Sequence, residues 1–346
     1  MRLDYKADRL MEILFSMYGD LLTLNVFCTM RKLILFLLIL FIVPLHVAAQ
    51  SNQRSLDRGD SCMKVYDYYN ALSFYKQAQK QRNDNIIKMK IASCYYFRAS
   101  YKQCVGLLKT VSTDSLTHDS FRELYYSLGA IGDVAHQVFY GMTLVRTFPR
   151  DSHIVADLMN VLVSPDYDHS DMAVYYGEDF CKTDSFNTEV NRALGEAYFM
   201  ERKFEQCINT YRRVFAVGDT TYNSLYYTAG SFAYMEKLDS AVYYFAKAVK
   251  MKPKMAVGLY RLGVVESQLG RYEDAVLHLK KAAELYEPDK SLMFTIYKNM
   301  GDSRLCQKNF KEAYLYWGYA LAYVDDNDLA EKRKVLGKRI GASFVK

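Results

Sequence analysis

The sequence predicts an all-α protein built as an array of paired antiparallel helices. Three observations predict it. First, small and apolar residues recur at one constant step: Ala173, Cys207, Ala241 and Ala275 form one evenly spaced column, and Gly195, Ala229 and Gly263 another. The same step links Phe204, Leu238 and Tyr272, then Tyr211, Phe245 and Leu279, then Val214, Ala248 and Ala282. Second, each unit reads as two helical stripes. In Ala256–Pro288 the residues Leu259, Leu262 and Gly263 share one face, and Tyr272, Ala275, Leu279 and Ala282 another, with only Leu269-Gly270-Arg271 between them. Two amphipathic helices joined by so short a turn lie antiparallel, and small residues at Gly263 and Ala275 let them approach closely. Third, five prolines in 346 residues leave no room for long extended linkers, while 31 tyrosines suit the seams between helices.

The N-terminus follows other rules. Met30-Arg31-Lys32 precedes an apolar run from Leu33 to Val43, then Pro44 and Val47-Ala48-Ala49. A basic start, a short apolar core and a small-x-small site form a secretory signal peptide over 30–49, with 1–29 as an upstream extension from a misplaced start. The run falls short of the roughly 20 residues that a spanning helix needs. The alternative is an uncleaved membrane anchor over 33–49.

Eight units follow over 52–327. They read as 52–85, 85–118, 118–151, 154–187, 188–221, 222–255, 256–289 and 294–327. The first has a polar leading helix, as a terminal unit with one face uncovered should, then Gly59, Tyr68, Ala71, Tyr75 and Ala78 in register. The second places Ile91, Ala92, Tyr95, Tyr101, Cys104 and Leu108. The third has Phe121, Leu124 and Leu128, but its second helix, around Val134 to Leu144, fits the register poorly. In the fourth, a helix over Ile154 to Leu162 is cut by Ser164-Pro165, since proline disfavours a helical residue before it. Four extra residues around Pro288-Asp289-Lys290 precede the eighth, which carries Tyr297, Gly301, Phe310, Ala313, Trp317 and Ala320. Asp325-Asp326-Asn327-Asp328 then caps a basic terminal helix within 328–346.

These columns resemble the tetratricopeptide repeat, a helix–turn–helix unit of the same period. The glycine at the turn and the small packing positions match, as does a proline at Pro253. Glu266 departs from the pattern, standing where the family prefers an aromatic. The resemblance implies a right-handed superhelix with one continuous core, whose first helices line a concave groove. Carrying over the groove positions gives Met89, Tyr96, Phe97, Arg122 and Tyr126 in the earlier units. In the later ones it gives Arg192, Glu196, Phe199, Tyr226, Tyr234 and Tyr260. Truncating Tyr226, Tyr234 and Tyr260 together is then expected to leave stability nearly unchanged. The lysine and asparagine pair with which some members grip acidic chaperone tails is absent; those positions hold Leu56 and Asp60, Met89 and Ser93, Arg122 and Tyr126.

Catalytic and metal-binding signatures are missing. There is no GxSxG, P-loop or GxGxxG, and the histidines are scattered. Asp166, Asp168 and Ser170 alternate like the start of a calcium loop. Asp171 stands where such a loop needs glycine, and Gly177 where it needs glutamate. A net charge of +6, well dispersed, gives no nucleic-acid footprint. Cys104 and Cys207 occupy the column of Ala275, so the cysteines are expected to be free buried thiols. The expectation is a non-catalytic, exported scaffold without cofactors that holds a protein or peptide partner in an aromatic groove. It would sit in the periplasm or on the outer surface of a bacterial envelope, touching membrane only through its signal peptide or uncleaved anchor. The alternative is a glycan-binding envelope module, and after it an enzyme.

Overall fold

The computed structural model describes residue 11 and residues 52–286 and 289–341. The signal peptide and upstream extension lie outside the described residues. Among these the chain is all helix and turn, with no strand. A first helix, α1, covers 52–64. It is followed by α2 (Tyr68–Gln81), α3 (Asn85–Phe97), α4 (Tyr101–Leu108), α5 (His118–Ala130), α6 (Val134–Thr147), α7 (Ser152–Leu162) and α8 (Ser170–Cys181). Then come α9 (Thr188–Met200), α10 (Phe204–Ala216), α11 (Tyr222–Tyr234), α12 (Leu238–Met251), α13 (Ala256–Gln268), α14 (Tyr272–Leu285), α15 (Lys290–Cys306), α16 (Phe310–Leu321) and α17 (Asn327–Arg339). The described residues divide into two compact units, one ending at Asp133 and one starting at Val134.

From α3 onward every first helix but α13 opens on a side-chain cap, as do the second helices α2 and α16. Asp84 accepts from the Ile87 amide at 2.9 Å, Asn187 from Val190 at 3.1 Å, and Thr221 and Ser224 cap each other reciprocally. Each cap satisfies an amide that the first turn cannot bond internally. Second helices share another feature, a connection containing one residue with positive φ. It stands two residues before the helix in every pair: Tyr66, Ala99, Gly132, Asp168, Arg202, Glu236, Gly270 and Lys308. Only Gly132 and Gly270 in that set are free of the side-chain clash that this backbone region imposes.

Within a pair, a glycine on the first helix receives a large side chain from the second. A Cβ on Gly263 would meet Leu279 Cγ at 2.8 Å, and one on Gly195 would meet the Tyr211 ring at 2.5 Å. Gly59 faces Tyr75 and Gly301 faces Trp317 in the same way. Beside these notches Ala71, Cys104, Cys207, Ala241, Ala275 and Ala313 are fully buried. Thus Cys104 and Cys207 behave as small hydrophobes, and Cys94 is buried too. Cys306 is exposed, and Cys62 and Cys181 are half-buried, so the expectation of buried thiols fails for these three.

The irregular units have physical reasons. In α6 the polar Gln137 is buried at the position that Ala275 holds in its own pair, which obscures the register there. The four extra residues before the eighth unit extend α15 to 17 residues, against 13 for α13, with Asp289 capping its start.

Candidate functional site

In the unit 134–346, rings from neighbouring first helices collect on one face. Phe199 of α9 lies 5.0 Å from the Tyr227 ring and 5.9 Å from Tyr234. Tyr234, at 57% exposure, stacks on Phe204 with centroids 4.8 Å apart and planes at 7°. Gly230 makes this convergence possible, since a Cβ there would come within 2.9 Å of the Phe199 ring. Beside the rings opens a cavity of about 210 Å³ lined by Phe199, Tyr226, Ala233, Tyr234, Arg261 and Val264, among others. Its lining is mixed, with Phe199, Phe245, Val264 and Val265 beside the tyrosines Tyr226 and Tyr234, Arg261 and Gln268. Against the effect of burial, the nearby Tyr226 side chain favours the charged form of the Arg261 guanidinium.

Arg192 and Glu196 line a different, more polar cavity of about 380 Å³, with Asn160, Glu189, Asn223 and Lys252. Neither predicted charge is free. Arg192 pairs with Asp219 at 3.4 Å, and its backbone carbonyl accepts from the buried Tyr211 hydroxyl. Glu196 accepts a 2.6 Å hydrogen bond from Tyr227 of the next first helix. Burial pushes the Glu196 carboxyl above its ordinary value, although the tyrosine bond favours its charged form.

Tyr226 and Tyr260 differ from Tyr234. Tyr226 packs edge-on against Phe245 at 5.6 Å, on the core cluster of α11, α12 and α13. Tyr260 packs against the cluster of Leu259, Leu279 and Ile296 and does not line the aromatic cavity. Only Tyr234 of the three is an exposed ring, which corrects the expectation that their joint loss would leave stability unchanged.

In the unit 1–133, Phe97 is half-exposed and stacks on Tyr68 at 4.9 Å and 10°. Tyr96 meets Phe97 and Tyr101 edge-on at 5.3 and 6.0 Å. Arg122 lies over Tyr126 at 6.0 Å. Met89 is only 7% exposed and offers no groove surface, its unbranched chain filling the interior. Between α3 and α5, the Ser93 hydroxyl donates to both carboxylate oxygens of Glu123 at 2.7 and 2.8 Å. Glu123 is buried, and burial pushes its carboxyl up to about 7 despite those bonds.

Several of these residues escaped the sequence reading. Asn223, Gly230, Ala233, Val264 and Gln268 occupy the same repeat positions as the chosen residues, but small or uncharged side chains were passed over for rings and charges. Tyr227 and Arg261, one unit apart in a single column, lie outside those positions. Glu266 is buried and bonded to His278 at 2.7 Å, so a polar pair replaces the expected aromatic. On α17, Arg333 stacks over Tyr314 at 4.0 Å and Arg339 over Phe310 at 4.3 Å, so both arginines take part in packing. Among the described residues no cluster could hold a metal ion, and no helix is long and apolar enough to cross a membrane. A further cavity of about 570 Å³, among Phe139, Arg146, Tyr175 and Phe180, takes none of the predicted residues.

The fold defines an all-α helical-repeat protein. Residues 256–289 match the family model of the tetratricopeptide repeat, and the chain carries that repeat there. No curated protein matches the chain. Among solved structures it is similar to YrrB, described as a TPR protein with an unusual peptide-binding site, at 15% identity, 56% of this chain, 97% of that one and TM-score 0.49. It is also similar to a tetratricopeptide repeat protein from Parabacteroides merdae at 12% identity, 84% and 99% coverage and TM-score 0.46. MamA follows at 19% identity, 49% and 92% coverage and TM-score 0.41.

Proposed function

We propose that this chain is an exported, non-catalytic scaffold that holds a segment of a protein partner on its first-helix face. One observation carries the reading: the exposed Tyr234 ring, braced by Phe204 and Phe199, stands at the mouth of a partly apolar cavity. A rigid ring buries much area on binding and loses few rotamers, which is why aromatic side chains dominate binding energy. The basic start, the short apolar core and the Val47-Ala48-Ala49 site support the export part of this proposal, with Gln50 as the proposed first residue of the mature chain and a bacterial envelope as its proposed location.

Photocrosslinking in the source cells tests the scaffold role. A crosslinker at Tyr234 is expected to capture a defined protein that one at Tyr243, an exposed ring on α12, does not capture. Equal capture at both positions, or none at Tyr234, would refute the assignment of this face. N-terminal sequencing of the exported chain tests processing: a first residue at Gln50 is expected, and a mature chain retaining Leu33–Val43 would contradict it.

A further inference from the structure

We infer that the cavity beside Tyr226 and Tyr234 selects a peptide segment in which an apolar side chain is followed by a carboxylate, the side chain filling the cavity and the carboxylate binding Arg261. The inference rests on the protein-binding reading of this face and adds what the face recognises. Two observations converge on it.

The first is the cavity itself. At about 210 Å³ it far exceeds the roughly 30 Å³ share of one water. Phe199, Ala233, Phe245, Val264 and Val265 give part of it an apolar wall that an apolar side chain would cover.

The second is charge. Some arginines of this unit pair with carboxylates, Arg192 with Asp219, Arg271 with Asp239, and Arg304 with Glu273 and Glu312, while others such as Arg333 and Arg339 pack on rings away from this cavity. Arg261 lines the cavity, yet no carboxylate among the described residues pairs with it. Its neighbours are tyrosines: Tyr226, Tyr234 and Tyr286, and the Tyr260 ring, whose centroid is 5.7 Å from the guanidinium. A guanidinium has five N–H donors in a planar fork suited to a carboxylate, and a tyrosine hydroxyl occupies few of them. A bare anion would leave the apolar wall uncovered, and a purely apolar segment would leave the fork without an anionic partner. A segment carrying both groups satisfies the two together.

Fluorescence anisotropy of the full chain with three short fluorescein-labelled peptides tests this. In one Gly-Ser background they carry Phe-Asp, Phe-Asn or Ala-Asp at the centre. Phe-Asp is expected to bind about tenfold more tightly than either of the others, with an advantage that shrinks as salt is added. Arg261→Gln should erase the difference between Phe-Asp and Phe-Asn, and Arg261→Lys should keep part of it, both variants melting like the parent. Equal binding of Phe-Asp and Phe-Asn, discrimination that survives Arg261→Gln, or no binding by any peptide would overturn the inference. If the peptides fail while Tyr234 still crosslinks its partner in cells, only the specificity falls. If that crosslink is absent as well, the protein-binding reading falls with it.

Discussion

The Tyr227 hydroxyl donates to the Glu196 carboxylate at 2.6 Å, tying the first helix of one repeat to that of the next across 31 residues of sequence. Ser93 and Glu123 make the same kind of tie in the other unit, 30 residues apart. Tyr227→Phe would leave a largely buried carboxylate without its donor. The expected loss is about 1–3 kcal/mol in thermal or chemical melting, with Glu196→Gln in the same chain restoring part of it. A Tyr227→Phe variant as stable as the parent would show that water replaces the hydroxyl.

Glu123 makes stability depend on pH. Its folded carboxyl titrates at about 7, against an ordinary 4.5. The folded unit therefore keeps a proton that the unfolded chain releases. The resulting stabilisation is fully present below about pH 4.5 and is lost as pH rises through about 7, a change of about 3 kcal/mol at most. Glu123→Gln should flatten the melting curve across that window and be the more stable form at pH 8. Parallel melting curves for the two proteins from pH 5 to 8 would contradict this.

The three tyrosines should separate. Tyr234→Ala should change stability by no more than about 0.5 kcal/mol, because the ring is exposed. Tyr226→Ala and Tyr260→Ala should each cost about 1–3 kcal/mol, since both rings pack against core clusters. Three individual melts decide it. Equal effects at all three would mean that the packing contrast has no energetic content.

The turns are improvable. Glu236 and Arg202 hold φ values of 58° and 56° in the position that Gly270 fills at 81°. Glu236→Gly and Arg202→Gly should each stabilise by up to about 1 kcal/mol, reduced by the added freedom of the unfolded chain. Gly270→Ala should destabilise by about the same amount. Denaturant midpoints measure all three.

The thiols should react in order of access. Burial pushes Cys94, Cys104 and Cys207 up to about 12, so at pH 8 almost none of each is thiolate. Mass spectrometry after brief alkylation should find Cys306 modified first, with those three labelled only in denaturant.

What the sequence revealed followed from how local each signal was. The pairing of helices was legible because Gly263 and Leu279, or Gly195 and Tyr211, sit in columns that recur once per unit. Exposed rings were partly legible: Tyr234 and Phe97 share one repeat position and stand out, but Tyr226 and Tyr260 share another groove position and are packed. Their fate depends on residues one or two helices away, Phe245 in one case and Ile296 in the other. Arg261 was invisible as a site residue because its importance lies in the absence of a carboxylate nearby in space. The poor register of α6 was legible, but neither the division after Asp133 nor the role of Gln137 was.

The glycine notches bear on how such a chain can be inherited. Gly59 and Tyr75, Gly195 and Tyr211, Gly263 and Leu279, and Gly301 and Trp317 are all separated by one and the same interval, shorter than a single unit. Notch and filling side chain therefore travel on the same stretch of gene, and a unit duplicated or deleted whole carries its internal fit with it. The ties between Ser93 and Glu123 and between Glu196 and Tyr227 straddle a boundary and are broken by any exchange that moves one partner alone. Recombination can thus multiply units freely while each junction must be tuned afterwards by point mutation. On this chain, divergence should accumulate fastest in the column that holds Glu123, Tyr227 and Arg261.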